Sequence, residues 1–121
     1  MPTIIRSELG GQSQTILIVS LPAMLVDETS GPVRDEVARR LPNADGAGLV
    51  LDCREVELIN SIGITCLLQL QDECRRRHAG MALAALPQSI RTFLARLKLD
   101  ARFGRYDTVE EAVAALDRTG V

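Results

Sequence analysis

Short apolar runs alternate with helical repeats along this chain, and the alternation predicts its secondary structure. Runs rich in β-branched and aliphatic residues predict buried strands at 15–20, 48–53 and 81–86. A Gly-Gly turn before the first of these runs predicts a hairpin with an N-terminal strand at 3–9. A weaker run predicts a last short strand at 102–106.

Two helices are predicted before the third of the buried strands. The first begins at an N-cap, Ser30, and ends at Pro42. Its inward residues, spaced by four, are Val33, Val37 and Leu41. The second and longest begins after an Asn60 cap and runs to about residue 79, where Gly80 closes it. On a helical wheel its sheet-facing residues are Gly63, Cys66, Leu67, Leu70 and Cys74.

Two further helices complete the predicted order. One follows Pro87, and the last starts with a capping box from Thr108 to Glu111. Their inward residues are Ile90, Phe93, Leu94 and Leu97 in the first and Val109, Ala112, Val113 and Leu116 in the second. The order predicts an α/β fold: a mixed, mostly parallel sheet with an N-terminal β-hairpin and four α-helices. A chain of 121 residues is expected to form one domain over 1–121.

Composition narrows the classes of function. The net charge of −2 and the aromatic content of 2% argue against direct nucleic-acid binding, by phosphate attraction or by base stacking. The longest uncharged stretch, 9–26, is too short in its apolar part to cross a membrane. The three cysteines, an odd number without a signal peptide, predict reduced, buried thiols in a cytoplasmic protein; they are Cys53, Cys66 and Cys74.

The sequence motifs do not indicate a catalytic site or a metal site. Neither a phosphate-binding P-loop nor a dinucleotide fingerprint is present. The single histidine, His78, lies about 25 Å from Ser61 along one helix, too far to activate it, and is expected to be a cation at the helix C-terminus. Cys74 and His78 could share a helix face, but Cys66 lies too far along the axis to join them. No enzyme, metal site or cofactor is therefore expected.

The segment 58–64 places a serine on the first turn of the longest helix. Backbone N–H groups of Ile62, Gly63 and Ile64 are expected to be free there and to stabilise an anion, so a phosphate on Ser61 is electrostatically acceptable. The alternative is that Asn60 and Ser61 are an ordinary cap pair.

A second stripe of the same helix is aligned with the serine. It contains Ser61, Ile64, Thr65, Leu68 and Asp72. If Ile64 and Leu68 are exposed, they form a docking ridge that a phosphate could switch off; if the helix is buried more deeply, they are core residues.

These residues resemble the STAS domain, and within it the anti-sigma factor antagonists of bacteria. The family pattern is a buried strand ending in Asp, a short turn, and Asp-Ser-x-Gly opening a helix. Here it reads as 49–52, then 56–59, then Asn60-Ser61-Ile62-Gly63. Downstream likenesses are Gly80 before a strand, a Pro-started helix ending near 97–99, Phe103, and 110–112.

The resemblance implies a STAS-type fold and a signalling role. Ser61 would be the phosphoacceptor of an anti-sigma factor that is also a serine kinase, and a phosphatase would reset it. The docking surface would comprise Asn60, Ser61, Ile62, Gly63, Ile64, Thr65 and Leu68. An alternative is a constitutive STAS subunit of a larger assembly, such as a lipid-transport ATPase accessory or a stress-sensing scaffold.

Two positions depart from the family pattern. Asn60 replaces the usual Asp before the serine, and residues 23–26 read Ala-Met-Leu-Val where Gly-Glu-Leu-Asp is common. Both changes are expected to remove a carboxylate from the neighbourhood of Ser61.

Overall fold

A computed structural model describes residues 4–9, 12–41 and 47–119, with side chains over 16–41 and 47–116. Over these residues the chain forms seven strands, four α-helices and one short 3₁₀ helix. The strands are β1 Ile4–Leu9, β2 Gln12–Ser20, β3 Met24–Leu25, β4 Gly48–Asp52, β5 Leu58–Ile59, β6 Gly80–Ala84 and β7 Gly104–Tyr106. The α-helices are α1 Asp27–Arg40, α2 Ser61–Arg76, α3 Gln88–Arg96 and α4 Val109–Thr119, and the 3₁₀ helix is Asp100–Arg102.

The main sheet has five strands in the order β1-β2-β4-β6-β7. Strands β1 and β2 form an antiparallel hairpin, and every later neighbour is parallel. The register across the centre pairs Ile18 with Val50 and Val50 with Ala82. A second, two-stranded sheet pairs β3 with β5 in parallel, Met24 opposite Leu58 and Leu25 opposite Ile59.

Alternate side chains of the central strands enter two separate cores, because successive strand residues point to opposite faces. One face carries Leu17, Leu49 and Leu83, and it packs against α1, α2 and α3. The other face carries Ile18 and Val50, and α4 covers it. Burying each such side chain contributes about 2 kcal/mol. This arrangement confirms the predicted α/β fold with a mostly parallel sheet, an N-terminal hairpin and four helices.

The start of α1 differs from the prediction. The helix begins at Asp27, and Ser30 is a buried residue within it rather than the cap. The Thr29 hydroxyl causes the earlier start: it accepts the Val26 N–H at 2.9 Å and donates to the Met24 carbonyl at 2.7 Å. Those bonds satisfy backbone groups at the helix terminus.

Two helix ends were also predicted too late. Helix α2 ends at Arg76, and His78 takes a left-handed conformation with φ of 56°, so Gly80 opens β6 instead of closing the helix. Leu97 lies beyond the last turn of α3 and is 46% exposed, which contradicts its predicted inward position. Outside the described residues lie the first residue of the predicted N-terminal strand, the Gly-Gly turn and Pro42.

Candidate functional site around Ser61

Ser61 is the first residue of α2, and its side chain is exposed. Asn60 precedes it in an extended conformation and caps the helix, its side-chain oxygen accepting the Gly63 N–H at 3.0 Å. The Asn60 carbonyl accepts the Ile64 N–H, also at 3.0 Å. Two of the three N–H groups expected to be free are therefore occupied by Asn60, and that prediction is wrong for Gly63 and Ile64. The N–H groups of Ser61 and Ile62 have no acceptor among the described residues.

Gly63 allows α2 to begin in direct contact with the small sheet. A Cβ atom at this position would lie 2.1 Å from the Leu25 carbonyl oxygen and 2.9 Å from the Ile59 side chain. Leu25 and Ile59 are paired residues of β3 and β5. Only a residue without a side chain fits there, so the short sheet fixes the position of the first turn and of Ser61.

A carboxylate does lie beside the motif. The Asn60 side-chain nitrogen donates to Asp27 Oδ1 at 2.9 Å, so the amide bridges the first turns of α1 and α2. Asp27 and its neighbour Glu28 are both exposed in the first turn of α1. The two substitutions therefore do not leave the site without a carboxylate, because Asp27 places one against Asn60.

The apolar surface near Ser61 differs from the predicted ridge. Ile64 and Leu68 are half-buried and pack against the main core, so they do not form an exposed ridge. The large exposed apolar side chains in this part of the fold are Met24 at 50%, Leu58 at 50% and Ile62 at 46%. We call these three residues the exposed apolar group. Met24 and Leu58 are neighbours in the register of β3 and β5, and Ile62 follows Ser61 directly.

Comparison with known proteins identifies the family. The model of the STAS domain matches residues 11–112. The chain belongs to the STAS domain family. A search of curated proteins found no match.

Solved structures support the STAS fold. An anti-sigma-factor antagonist (STAS) domain protein from Planctomyces limnophilus is 18% identical with a TM-score of 0.74, over 93% of this chain and 97% of that one. The anti-sigma factor antagonist SpoIIAA in its unphosphorylated form is 13% identical with a TM-score of 0.71, over 98% and 99%. The murine Solute Carrier 26 member A9 anion transporter matches with a TM-score of 0.69 at 18% identity, over 85% of this chain but 18% of its own.

The cysteines of this STAS domain are buried, as predicted. Burial raises the pKa of Cys53 to about 12 and that of Cys74 to about 11, and it also raises the pKa of Cys66. Neutral thiols are therefore favoured over the thiolates that act as nucleophiles or metal ligands.

Other predicted features are reported over the described residues. His78 is exposed at the C-terminal end of α2. No group of three or more His, Cys, Asp or Glu residues among the described ones could hold a metal ion. Within the same residues, no helix combines the length and apolar character needed to cross a membrane.

Sequence reasoning missed Met24, Leu58 and Asp27 as residues of the site. Strands of two residues have no measurable periodicity, so β3 and β5 gave no signal, and neither did their exposed members. Asp27 could have been found through the acidic pair Asp27-Glu28, which is typical of a first helical turn.

Proposed function

We propose that this STAS domain is an anti-sigma factor antagonist that binds an anti-sigma factor with serine kinase activity, and that phosphorylation of Ser61 ends the binding. The observation that carries the proposal is the placement of Ser61, which is exposed on a fixed helical turn beside the exposed apolar group. Similarity of fold to anti-sigma factor antagonists supports the choice of partner.

The docking surface follows from exposure. We place the contacts of the partner at the exposed apolar group, with the polar residues Asn60, Ser61 and Thr65 beside it. Gly63 contributes through the close approach of the helix rather than by contact, and Ile64 and Leu68 contribute the edges of their half-buried side chains. Exposed apolar residues rimmed by polar ones are typical of protein interaction sites.

The reaction at Ser61 needs no catalytic residue from this chain. The Ser61 hydroxyl oxygen attacks the γ-phosphorus of ATP, the bond to ADP breaks, and a base of the kinase takes the hydroxyl proton. A phosphatase reverses the change by hydrolysis, releasing inorganic phosphate and restoring the hydroxyl.

Phosphorylation changes the charge of the surface at one point. The group adds about −1.5 to −2 charge at pH 7. The two free N–H groups of Ser61 and Ile62 and the N-terminal end of the helix dipole tolerate that charge within the folded domain. A partner that covers Ile62 would have to bury the phosphate charge on Ser61. Asp27 adds a second negative charge nearby. Binding is therefore lost while the fold is kept.

The test combines phosphorylation and binding with a co-encoded anti-sigma factor kinase. The wild type should gain one phosphate on Ser61 by mass spectrometry, and Ser61→Ala should gain none while still binding. Ser61→Asp should lose binding. Ser89→Ala removes an exposed hydroxyl from α3, outside the proposed docking surface, and serves as the control, with phosphorylation unchanged. Modification at a residue other than Ser61 would contradict the switch.

A constitutive subunit role is the second candidate, because the fold match extends to part of an anion transporter. It predicts stable co-purification with a large assembly, unaffected by Ser61→Asp. Loss of the partner in that variant favours the antagonist instead.

A further inference from the structure

Two adjoining grooves lie where β6 and β7 end and α3 begins. One, of about 270 Å³, is lined by Ala85, Leu86, Arg91, Arg105, Tyr106 and Asp107. The other, of about 280 Å³, is lined by Gln88, Arg91, Thr92, Ala95 and Arg105. Arg91 and Arg105 line both grooves, so these two residues lie at the junction between them.

Neither arginine at this junction has an acidic partner among the described residues. Arg91 Nη2 donates to the side-chain oxygen of Gln88 at 2.6 Å, which is a neutral acceptor. Arg91 Nε is buried and has no acceptor in the described part of the chain. By contrast, Arg54 and Arg77 are held by Asp52 and Glu73 at 2.7 Å. A buried guanidinium N–H without an acceptor is costly, so an anion that supplies one would bind favourably.

The surrounding segment is positively charged although the chain is not. Residues 88–106 contain five basic residues against one acidic residue, in a chain with a net charge of −2. The basic ones are Arg91, Arg96, Lys98, Arg102 and Arg105, and the acidic one is Asp100. Of these basic residues, Arg91 and Arg105 line the grooves, against one carboxylate, Asp107. An excess of one sign in a concave site raises the local concentration of anions.

The two grooves have different linings, so they suit different parts of a ligand. Asp107 lines only the first groove and repels an anion there, whereas the second groove has no carboxylate and offers the hydroxyl of Thr92 and the amide of Gln88. The charged group therefore belongs on the Thr92 side. Leu86 and Tyr106 line the first groove and suit an apolar or aromatic body.

We infer that the junction of Arg91 and Arg105 binds a phosphate group, carried by a small phosphate monoester or present as inorganic phosphate. Arginine forks match the oxygens of phosphate and bind them through charge-assisted hydrogen bonds. Two guanidinium groups suit a doubly charged anion. Turning the Arg91 guanidinium toward the ligand gives up the Gln88 bond and supplies Nε with an acceptor. This site is separate in sequence from Ser61 and does not depend on the proposed switch.

The test is a titration of the ¹⁵N-labelled protein at constant ionic strength, followed by NMR. Inorganic phosphate and phenyl phosphate are the two probes, with chloride as the reference anion. Saturable shifts are expected at the amides of Leu86, Thr92 and Tyr106 and at Arg91 Nε. Tighter binding of phenyl phosphate assigns the site to monoesters, and equal binding assigns it to the free ion.

Variants decide whether the two arginines are responsible. Arg91→Gln and Arg105→Gln should each weaken binding about tenfold, since each loses a charge-assisted hydrogen bond. Arg96→Gln removes an exposed cation from the far end of the same helix and should bind as the wild type does. Arg105 is itself exposed, so its variant tests the site even if Arg91→Gln impairs folding. Shifts that do not saturate, or that weaken equally in Arg96→Gln, would overturn the inference.

Discussion

At the scale of single residues, the site around Ser61 depends on two residues that carry no reactive group of their own. Gly63 lets the helix touch the backbone of β3, and Asn60 holds both the helix terminus and Asp27. Both act on where Ser61 lies. Substitution of either residue should therefore be detected first as a change in the free energy of unfolding.

Gly63→Ala should lower the free energy of unfolding by about 3 kcal/mol, because the new methyl group overlaps a backbone carbonyl that cannot move aside easily. Urea denaturation measures the change. Gly31→Ala is the matched control within α1, where the nearest atom to an added Cβ is a flexible Arg34 side-chain nitrogen at 3.9 Å. That control should be neutral or stabilising by about 0.5–1 kcal/mol. Equal stability of the two variants would contradict the close-contact role of Gly63.

Asp27 and Asn60 should prove energetically coupled. In Asn60→Asp a carboxylate replaces the amide that donates to Asp27, so a hydrogen bond becomes a repulsion between like charges. Adding Asp27→Asn restores a donor and should recover about 1 kcal/mol relative to Asn60→Asp alone. A double-mutant cycle in urea measures the coupling. Additive effects of the two substitutions would show that the contact contributes nothing.

At the scale of elements, α1 and α2 are joined at the ends remote from Ser61. Arg77, just after α2, donates to the Leu41 carbonyl at 2.7 Å and to the Ala38 carbonyl at 3.1 Å. These carbonyls lie at the C-terminal end of α1, which has no intrahelical donor for them. The Arg77 guanidinium group, which follows α2, therefore caps the C-terminal end of α1.

Arg77→Ala should destabilise the domain by about 2 kcal/mol, since it removes charge-assisted hydrogen bonds to the partly buried Leu41 carbonyl and the exposed Ala38 carbonyl. Arg75→Ala is the control on the same turn, because Arg75 is exposed and its ion pair with Asp72 is long, at 3.9 Å. Its effect should stay within about 0.5 kcal/mol. Thermal or urea unfolding compares them, and a smaller loss for Arg77→Ala than for Arg75→Ala would contradict the tie between the helices.

The ion pair between Glu73 and Arg77 makes the stability of this helix contact depend on pH. The hydrogen bond from Arg77 lowers the pKa of Glu73 below its usual value. A carboxylate with a lowered folded pKa adds stability above its unfolded pKa of about 4.3 and loses it as the pH falls. The wild type should therefore exceed Glu73→Gln in stability at pH 7, and the difference should shrink toward pH 3. A difference that is constant over this range would exclude the ion pair as its cause.

The patterns in the sequence predicted the larger elements better than the small ones around the site. The apolar runs of β2, β4 and β6 and the inward stripe of α2 were confirmed, because burial repeats over many residues there. The start of α1 was wrong because a single hydroxyl, Thr29, determines it. Strands β3 and β5 had no repeat to detect, and they supply most of the exposed apolar group.

At the scale of the whole molecule, the reactivity of the three cysteines measures how readily the larger core opens. All three are buried, and burial raises the pKa of each thiol. At pH 8 the folded protein should therefore not react with Ellman's reagent on the timescale of mixing, whereas all three thiols should react in guanidinium chloride. The absorbance of the thiolate released from the reagent follows the reaction. Rapid labelling of one thiol in the native protein would reveal a local opening of this core.

Strand β4 has a consequence for how long the position of Ser61 persists. All five of its residues are buried, and it pairs with a parallel neighbour on each side. Amide protons in such a strand exchange with solvent only when the whole domain opens. A short loop leads from β4 through β5 to Asn60 and Ser61. Ser61 is thus connected by a short loop to a strand that is expected to open only with the whole domain, so its position relative to the sheet should last as long as the fold.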